Sequence, residues 1–350
     1  MALFADIKTP YVNEATLKRV MSARVKDNIF QGIFTRPGEA VTEKFSEDTN
    51  AAQIQVIRVL PNNTEAREIG ADKNGGWFNN QEAATPKTAA YGIDIITTID
   101  DCIDIPTNQE DMMHVDVAEA ELSNLAGRVN KNVNAITIAA QLCKNFNNFR
   151  STTGSENWIE LTDDDYLGAI ISAGAQLDDG NEDEGVDAYP QESRAVFIRS
   201  DVKAALYKKG QLIVGGSNAA QNIIRKGGLD EDTTPDVAAT GYVGEVDGMP
   251  CYVASKAVWN LVEKYLGLAA GTLANVKILV VSALGTGRAL AFNNAIKMID
   301  SPAGQGRRLQ PKYRMGAECW DALSVVPVIS GTFENPAKGA ELRVTAPGSR

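Results

Sequence analysis

The sequence predicts an α+β fold, in which strands and helices are mixed without the regular cadence of βαβ units. Two segments with alternating apolar residues, Ile54–Leu60 and Tyr91–Ile95, flank a polar stretch and predict the arms of a β-hairpin. Soon afterwards, apolar residues recur with a period close to 3.6 from Val117 to Phe146 and predict a long helix. Later short strands and helices follow in mixed order, which also favours the α+β class.

The hairpin arms are joined by a long polar loop, Asn62 to Thr85, which is rich in glycine and asparagine. Structureless loops of this length are uncommon inside compact domains. A two-stranded hairpin also cannot bury its own surface. We therefore expect something outside the subunit to cover it.

The long helix has a marked start, because Thr107 and Glu110 fit a capping box. Its apolar residues form one stripe, which predicts one packed face and one face in water. At about 1.5 Å per residue it would be about 57 Å long. Asn130, Asn132 and Asn134 are poor helix formers, so a bend or break there is one expectation.

Composition restricts the function. The 350 residues carry a formal net charge of -11, which argues against tight non-specific binding to DNA. No apolar run reaches the length of a membrane span, and the first residues are too polar for a signal peptide, so we expect a soluble protein made in the cytoplasm. The four cysteines form no CxxC pair and are expected to be reduced and mostly buried.

No group of residues predicts catalysis, a cofactor or a metal ion. The only histidine, His114, has no nucleophile elbow near it, and Gly285-Thr286-Gly287 lacks the pattern of a phosphate-binding loop. Residues 151–193 contain twelve Asp and Glu and no Lys or Arg. A calcium loop counted from Asp179 fails, because Glu184 and Pro190 occupy its glycine and glutamate positions. A solvated acidic loop is favoured.

Later elements carry local start and stop signals. Thr162 is expected to cap a helix that ends at Gly180, and Ser200 to cap one that ends at Gly210. Asp247-Gly248 predicts a hairpin turn. The predicted strands are Ala195–Ile198, Val276–Ser282, Arg288–Phe292 paired with Ile296–Ile299, and Cys319–Val328, followed by a polar tail.

A basic cluster contains Arg307, Arg308, Lys312 and Arg314. It predicts a contact with nucleic acid or with an acidic patch of a neighbouring subunit, and a solvated loop is the alternative.

Two motifs, read with the order of elements, suggest a family. Ala195-Val196-Phe197-Ile198 leading into a helix, and the hairpin segment from Gly241 to Ser255, resemble motifs of the major capsid proteins of tailed double-stranded DNA bacteriophages, with the Hong Kong 97-type fold. The resemblance covers nearly the whole chain.

The resemblance implies a division of the chain into named parts. These are an N-terminal arm (1–52), an E-loop (53–88), a P domain with a spine helix (89–148), an A domain (149–299), returning P-domain strands (300–335) and a C-terminal tail (336–350). E-loop residues Arg67, Lys73, Trp77 and Phe78, together with the basic cluster, would form subunit interfaces.

The implied function is non-enzymatic. Copies would assemble as pentamers and hexamers of an icosahedral shell around double-stranded DNA, in a virion whose protein is made in the host cytoplasm. Implied partners are other copies, a separate scaffolding protein, a portal protein at one vertex and a decoration protein, with no membrane. Lys73 lies where some relatives form a crosslink, but no motif identifies its partner. The alternatives are an encapsulin-like nanocompartment shell, an unrecognised hydrolase and a tail-tube protein.

Overall fold

The computed structural model describes residues 53–60, 87–100, 103–105, 115–150, 158–181, 188–211, 242–292, 297–300, 307–310 and 312–346. The helices are α1 Val115–Asn148, α2 Tyr166–Asp178, α3 Ser200–Lys208 and α4 Lys256–Tyr265. The strands are β1 Gln53–Leu60, β2 Lys87–Asp94, β3 Thr97–Asp100, β4 Ile103–Ile105, β5 Ile159–Leu161, β6 Arg194–Ile198, β7 Tyr242–Val246, β8 Met249–Val253, β9 Val276–Ser282, β10 Thr286–Phe292, β11 Lys297–Asp300, β12 Arg307–Gln310, β13 Lys312–Cys319 and β14 Val325–Ser330.

A six-stranded sheet, in the order β5-β14-β9-β6-β8-β7, is the middle layer of three. Each face of this sheet packs into its own apolar core, so successive residues of the central strands lie in different cores. Phe197 and Leu279 pack with α1 and α4, whereas Val196 and Val280 pack with α2 and α3. Strand side chains point alternately to the two faces, so both faces of these strands must be apolar.

Helix α1 is one unbroken helix of 34 residues, so the three asparagines do not interrupt it. Its predicted capping box lies outside the described residues. The prediction of one wet face is wrong for residues 133–142, every one of which is buried. This half of α1 is covered by the six-stranded sheet, α4, β13 and the C-terminal segment together, so no side is left to the solvent.

Two three-stranded antiparallel sheets, β10-β13-β3 and β11-β12-β4, are successive stretches of the same three chain segments. We call them together the ribbon. Lys312 pairs with Asp100 and Leu309 with Ile103, so β3 and β4 keep one register against β13 and β12. Pro311 lies between β12 and β13 and has no backbone N–H to donate.

Two predicted strand assignments are wrong. Residues 297–299 do not pair with β10, because β11 pairs with β12. The stretch from Cys319 to Val328 is not one strand. It turns at Asp321, whose carboxylate accepts the Leu323 N–H while its carbonyl accepts the Ser324 hydroxyl. The new strand β14 then enters the six-stranded sheet beside β9.

The predicted domain boundaries cut across this pairing. β14 falls within the predicted return strands, 300–335, but pairs with β5 and β9 of the predicted A domain. β10 and all but the last residue of β11 fall within 149–299 but pair with β13 and β12. The boundaries therefore stay predictions.

The predicted helix ends and the hairpin turn are confirmed, whereas the predicted N-terminal caps of α2 and α3 are wrong. Gly180 and Gly210 follow helices with φ of 69° and 64°, and Asp247-Gly248 turns the β7–β8 hairpin. The cap of α2 is Asp165 rather than Thr162, and its carboxylate accepts the Gly168 N–H. Ser200 is the first residue of α3 and not its cap. Helix α4 was not predicted, although Ser255 caps it.

Residues 331–346, predicted as a polar tail, instead pack on the end of α1. Ala337 is fully buried, and Leu342 exchanges two backbone hydrogen bonds with the side chain of Asn147, each 2.8 Å long. The side chain of Asn335 donates to the Phe146 carbonyl at 3.1 Å and accepts from the Ala337 N–H. A carbonyl at the end of α1 that has no partner within the helix is thereby satisfied.

Replacing Asn335 with alanine should leave the buried Phe146 carbonyl without this donor. We expect the free energy of unfolding to fall by about 1–3 kcal/mol, measured by urea denaturation. The control is Glu334→Ala, which removes only a solvent-exposed ion pair to Lys338 and should change the free energy by less than about 1 kcal/mol. Equal effects of the two variants would contradict the capping role.

Candidate functional site

The β1–β2 hairpin is confirmed, with eight antiparallel residue pairs from Gln53↔Asp94 to Leu60↔Lys87. Among the described residues it forms a two-stranded sheet that no third strand joins. Its predicted loop, with Arg67, Lys73, Trp77 and Phe78, lies outside the described residues. The interface role of those four residues stays a prediction.

The hairpin is fixed to the body at its base. Ile93 is fully buried, and the ring centroids of Tyr91 and Trp320 are 5.3 Å apart. The indole N–H of Trp320 donates to the Leu284 carbonyl at 2.9 Å, which holds the indole in place. The side chains that the structure describes in the hairpin are those of its base, and they anchor it to the body.

Glycines of the ribbon lie directly under this base. A Cβ built on Gly316 would stand 1.9 Å from the Asp94 carbonyl oxygen, and one built on Gly287 would stand 2.7 Å from the Trp320 ring. Just beyond the crossing, the Ile96 N–H donates to the Met315 carbonyl at 3.0 Å. The backbone that leaves β2 thus crosses β13 in direct contact.

The basic cluster lies on strands, so the alternative of a solvated loop is wrong. Positions 308, 312 and 314 share one face of the ribbon and position 307 lies on the other, because successive strand residues alternate. The cluster is therefore not one continuous patch.

Three of the four basic positions stand opposite aspartates of the same chain. Lys312 pairs in register with Asp100, Arg308 with Asp104, and Arg307 with Asp300. Opposite charges at directly facing strand positions attract each other. This register favours charge balance within the subunit over a basic surface for nucleic acid. A role of these residues at a subunit interface stays a prediction.

The acidic segment is anchored on both sides of residues 182–187, which lie outside the described residues. Asn181 donates to the buried carboxylate of Asp321 at 2.9 Å, and the Tyr189 hydroxyl donates to its other oxygen. The buried Arg194 contacts Asp178 at 2.5 Å and donates to the Tyr189 carbonyl. Among the described residues, no three His, Cys, Asp or Glu could together hold a metal ion.

The cysteines behave as the sequence predicts where the structure describes them. Cys143, Cys251 and Cys319 are free thiols, half-buried in the first case and buried in the others. Burial raises the pKa of Cys143 and of Cys251 to about 12, and that of Cys319 to about 11. Because thiolates are the reactive form, none of the three suits nucleophilic chemistry near neutral pH.

The cross-strand charge pairs can be measured with a double-mutant cycle on Asp104→Asn and Arg308→Gln. We expect a coupling of about 0.2–1 kcal/mol in the free energy of unfolding, reduced in 1 M salt because charges are screened. The matched control is the cycle of Arg308→Gln with Asp100→Asn, which lies opposite Lys312. Equal coupling in both cycles would contradict the register argument.

The buried thiols should also resist alkylation. At pH 8 the raised pKa values leave Cys251 and Cys319 protonated, so iodoacetamide should leave both unmodified in the folded protein. Both should react in urea, where their pKa values return to the ordinary range. Peptide mass spectrometry measures the outcome. Rapid labelling of Cys251 without denaturant would show that the β7–β8 hairpin opens.

The sequence matches no protein-family model and no curated protein. None of the helices in the part of the chain that the structure describes is long and apolar enough to cross a membrane. Similar structures include the capsids of cyanophage P-SCSP1u (16% identity, 82% of this chain and 86% of that chain, TM-score 0.48) and Ralstonia phage GP4 (11% identity, 88% and 92%, TM-score 0.56).

The GP4 capsid has the higher TM-score of the two, and the match spans most of both chains. At 11% identity such a likeness establishes the fold and not the activity. The predicted resemblance is confirmed at that level. This chain has the mixed α and β fold of a phage capsid subunit.

Proposed function

We propose that this chain is the major capsid protein of a tailed double-stranded DNA bacteriophage. The observation that carries the proposal is the match to the capsid of Ralstonia phage GP4 over 88% of this chain. Copies would assemble into pentamers and hexamers of an icosahedral shell that encloses the genome. The chain would act by assembly rather than catalysis.

The isolated hairpin supports this proposal. Two-stranded hairpins are marginally stable in water unless a third strand or another surface covers them. Within the described residues, β1 and β2 pair only with each other. In a closed assembly of identical copies, a neighbouring copy supplies the missing cover. Residues 53–88 would then act as the E-loop, α1 as the spine helix and the six-stranded sheet as the centre of the A domain.

The charge of the chain fits a container for DNA. A net charge of -11 limits adhesion to the packaged phosphates, which a strongly basic shell would bind tightly. The pairing of Lys312 and Arg308 with aspartates of the same chain works in the same direction. Any DNA contact would be independent of sequence.

Other partners follow from the same role. A separate scaffolding protein would guide assembly, and a portal protein would occupy one vertex. The proposal allows for a decoration protein but does not require one. Arg67, Lys73, Trp77 and Phe78 are proposed to contact the next copy through the E-loop. The protein would be made in the host cytoplasm and reside in the virion.

Deletion of residues 65–80 tests the role of the hairpin loop. We expect a folded subunit, because no described element lies in this range, but no closed shells. Circular dichroism and urea denaturation measure the fold, and electron microscopy of protein co-expressed with a scaffolding protein measures assembly. A second variant keeps the loop length and replaces only Arg67, Lys73, Trp77 and Phe78 with serine. It should also lose shells if those four make the contact.

Three outcomes would overturn all or part of the proposal. A wild-type protein that stays strictly monomeric at high concentration, with and without scaffold, would exclude a shell protein. Shells that enclose an enzyme and no DNA would favour the encapsulin-like alternative. Unchanged shells after the deletion would leave the capsid role intact but remove the role of the loop.

A further inference from the structure

We infer that Gly287 and Gly316 form a platform that sets the angle at which the β1–β2 hairpin leaves its subunit, and that Trp320 holds the hairpin on it. This inference rests on the proposed assembly role for its consequence in shells. Its structural part concerns a single subunit and can be tested there. The three residues would be positioning residues for the subunit contact.

Gly316 makes the closest approach. A Cβ at this position would stand 1.9 Å from the Asp94 carbonyl oxygen, 2.9 Å from its carbonyl carbon and 3.3 Å from the Ile95 Cα. All three atoms belong to the backbone that leaves the hairpin, so no side-chain rotation can relieve the clash. Any residue other than glycine must push this crossing away from β13.

Gly287 lies on the same face of the ribbon, opposite Glu318 in register. Its added Cβ would meet side chains only: two atoms of the Trp320 ring at 2.7 Å and the Ile93 Cδ1 at 3.1 Å. The Trp320 indole N–H donates to the Leu284 carbonyl at 2.9 Å, and the ring contacts Tyr91 of β2. Gly287 therefore controls how deeply the hairpin base and the indole sit on the ribbon.

The hairpin amplifies a small displacement at this platform. Eight residues in a strand span about 26 Å, and neighbouring strands lie about 5 Å apart. Suppose that the hairpin rotates about one strand of its base while the other strand, one strand spacing away, shifts by about 1 Å. The far end of the strands would then move by about 5 Å. Contacts with another copy, which require matched surfaces, would be lost although the body stays folded.

The first experiment measures the angle in the unassembled subunit. Nitroxide labels at Arg58→Cys on β1 and Asn260→Cys on the exposed side of α4 report the hairpin-to-body distance by pulsed electron paramagnetic resonance. Arg58 lies five residues, or about 17 Å, along β1 from Gln53, so Gly316→Ala and Gly287→Ala should each shift this distance by about 3 Å. The matched control is Gly339→Ala, because a Cβ there has no atom within 4 Å, and it should leave the distance unchanged.

A compensating variant separates positioning from general destabilisation. Trp320→Phe removes the outer ring atoms that meet the new Cβ of Gly287→Ala. Because Trp320→Phe also removes the hydrogen bond to Leu284, the reference is Trp320→Phe alone, and the double variant should show the same distance as that single variant. Trp320→Phe should not rescue Gly316→Ala, whose clash is with backbone. Hydrogen exchange at the Ile96 amide should rise in Gly316→Ala and stay slow in Gly339→Ala.

The second experiment examines assembly by electron microscopy. Gly316→Ala and Gly287→Ala should lose closed shells, and Gly287→Ala with Trp320→Phe should form them to the same extent as Trp320→Phe alone. An unchanged distance in Gly316→Ala would overturn the platform, and so would rescue of Gly316→Ala by Trp320→Phe. If Gly316→Ala fails to fold, Gly287→Ala with and without Trp320→Phe tests the platform by itself. Absence of shells from the wild type, with the distance shifts present, would contradict the proposed function and not the platform.

Discussion

The fold depends on the burial of the second half of α1 among four other elements. Residues 133–142 contact the six-stranded sheet, α4, β13 and the C-terminal segment in one continuous core. Each large apolar side chain buried there contributes about 1.5–3 kcal/mol relative to exposure. Because one helix packs against all four neighbours, it joins β13 of the ribbon to the three-layer body.

Apolar contacts alone would not fix the position of α1 along its own axis, but its buried and half-buried polar side chains do. The Gln141 amide donates to the Thr286 hydroxyl of β10 at 3.2 Å, and Asn145 donates to the Val325 carbonyl of β14 at 2.8 Å. Asn147 pairs with the backbone of Leu342. A slide by one turn would leave these groups unpaired, at about 1–3 kcal/mol each. The polar residues therefore specify the position that the apolar residues stabilise.

The sequence predicts what depends on neighbours along the chain and misses what depends on distant ones. Asp247-Gly248 turns a hairpin, and Gly180 follows a helix, because each conformation is set by a few local dihedral angles. The all-round burial of α1 depends on its packing against α4, β13 and the C-terminal segment. The pairing of Lys312 and Arg308 with aspartates depends on a register between strands about 200 residues apart. Periodicity along one segment contains no information on such a register.

The β1–β2 hairpin differs from the other sheets of the described chain, because no third strand joins it. At its base Ile93 is buried against the body. Strand pairing alone does not make a two-stranded element stable in water. In the proposed assembly, its order would come from the platform at one end and from a neighbouring copy along the rest. A rigid body that offers one incompletely stabilised element is physically suited to assembly, because docking onto a neighbour gains free energy without remodelling the core.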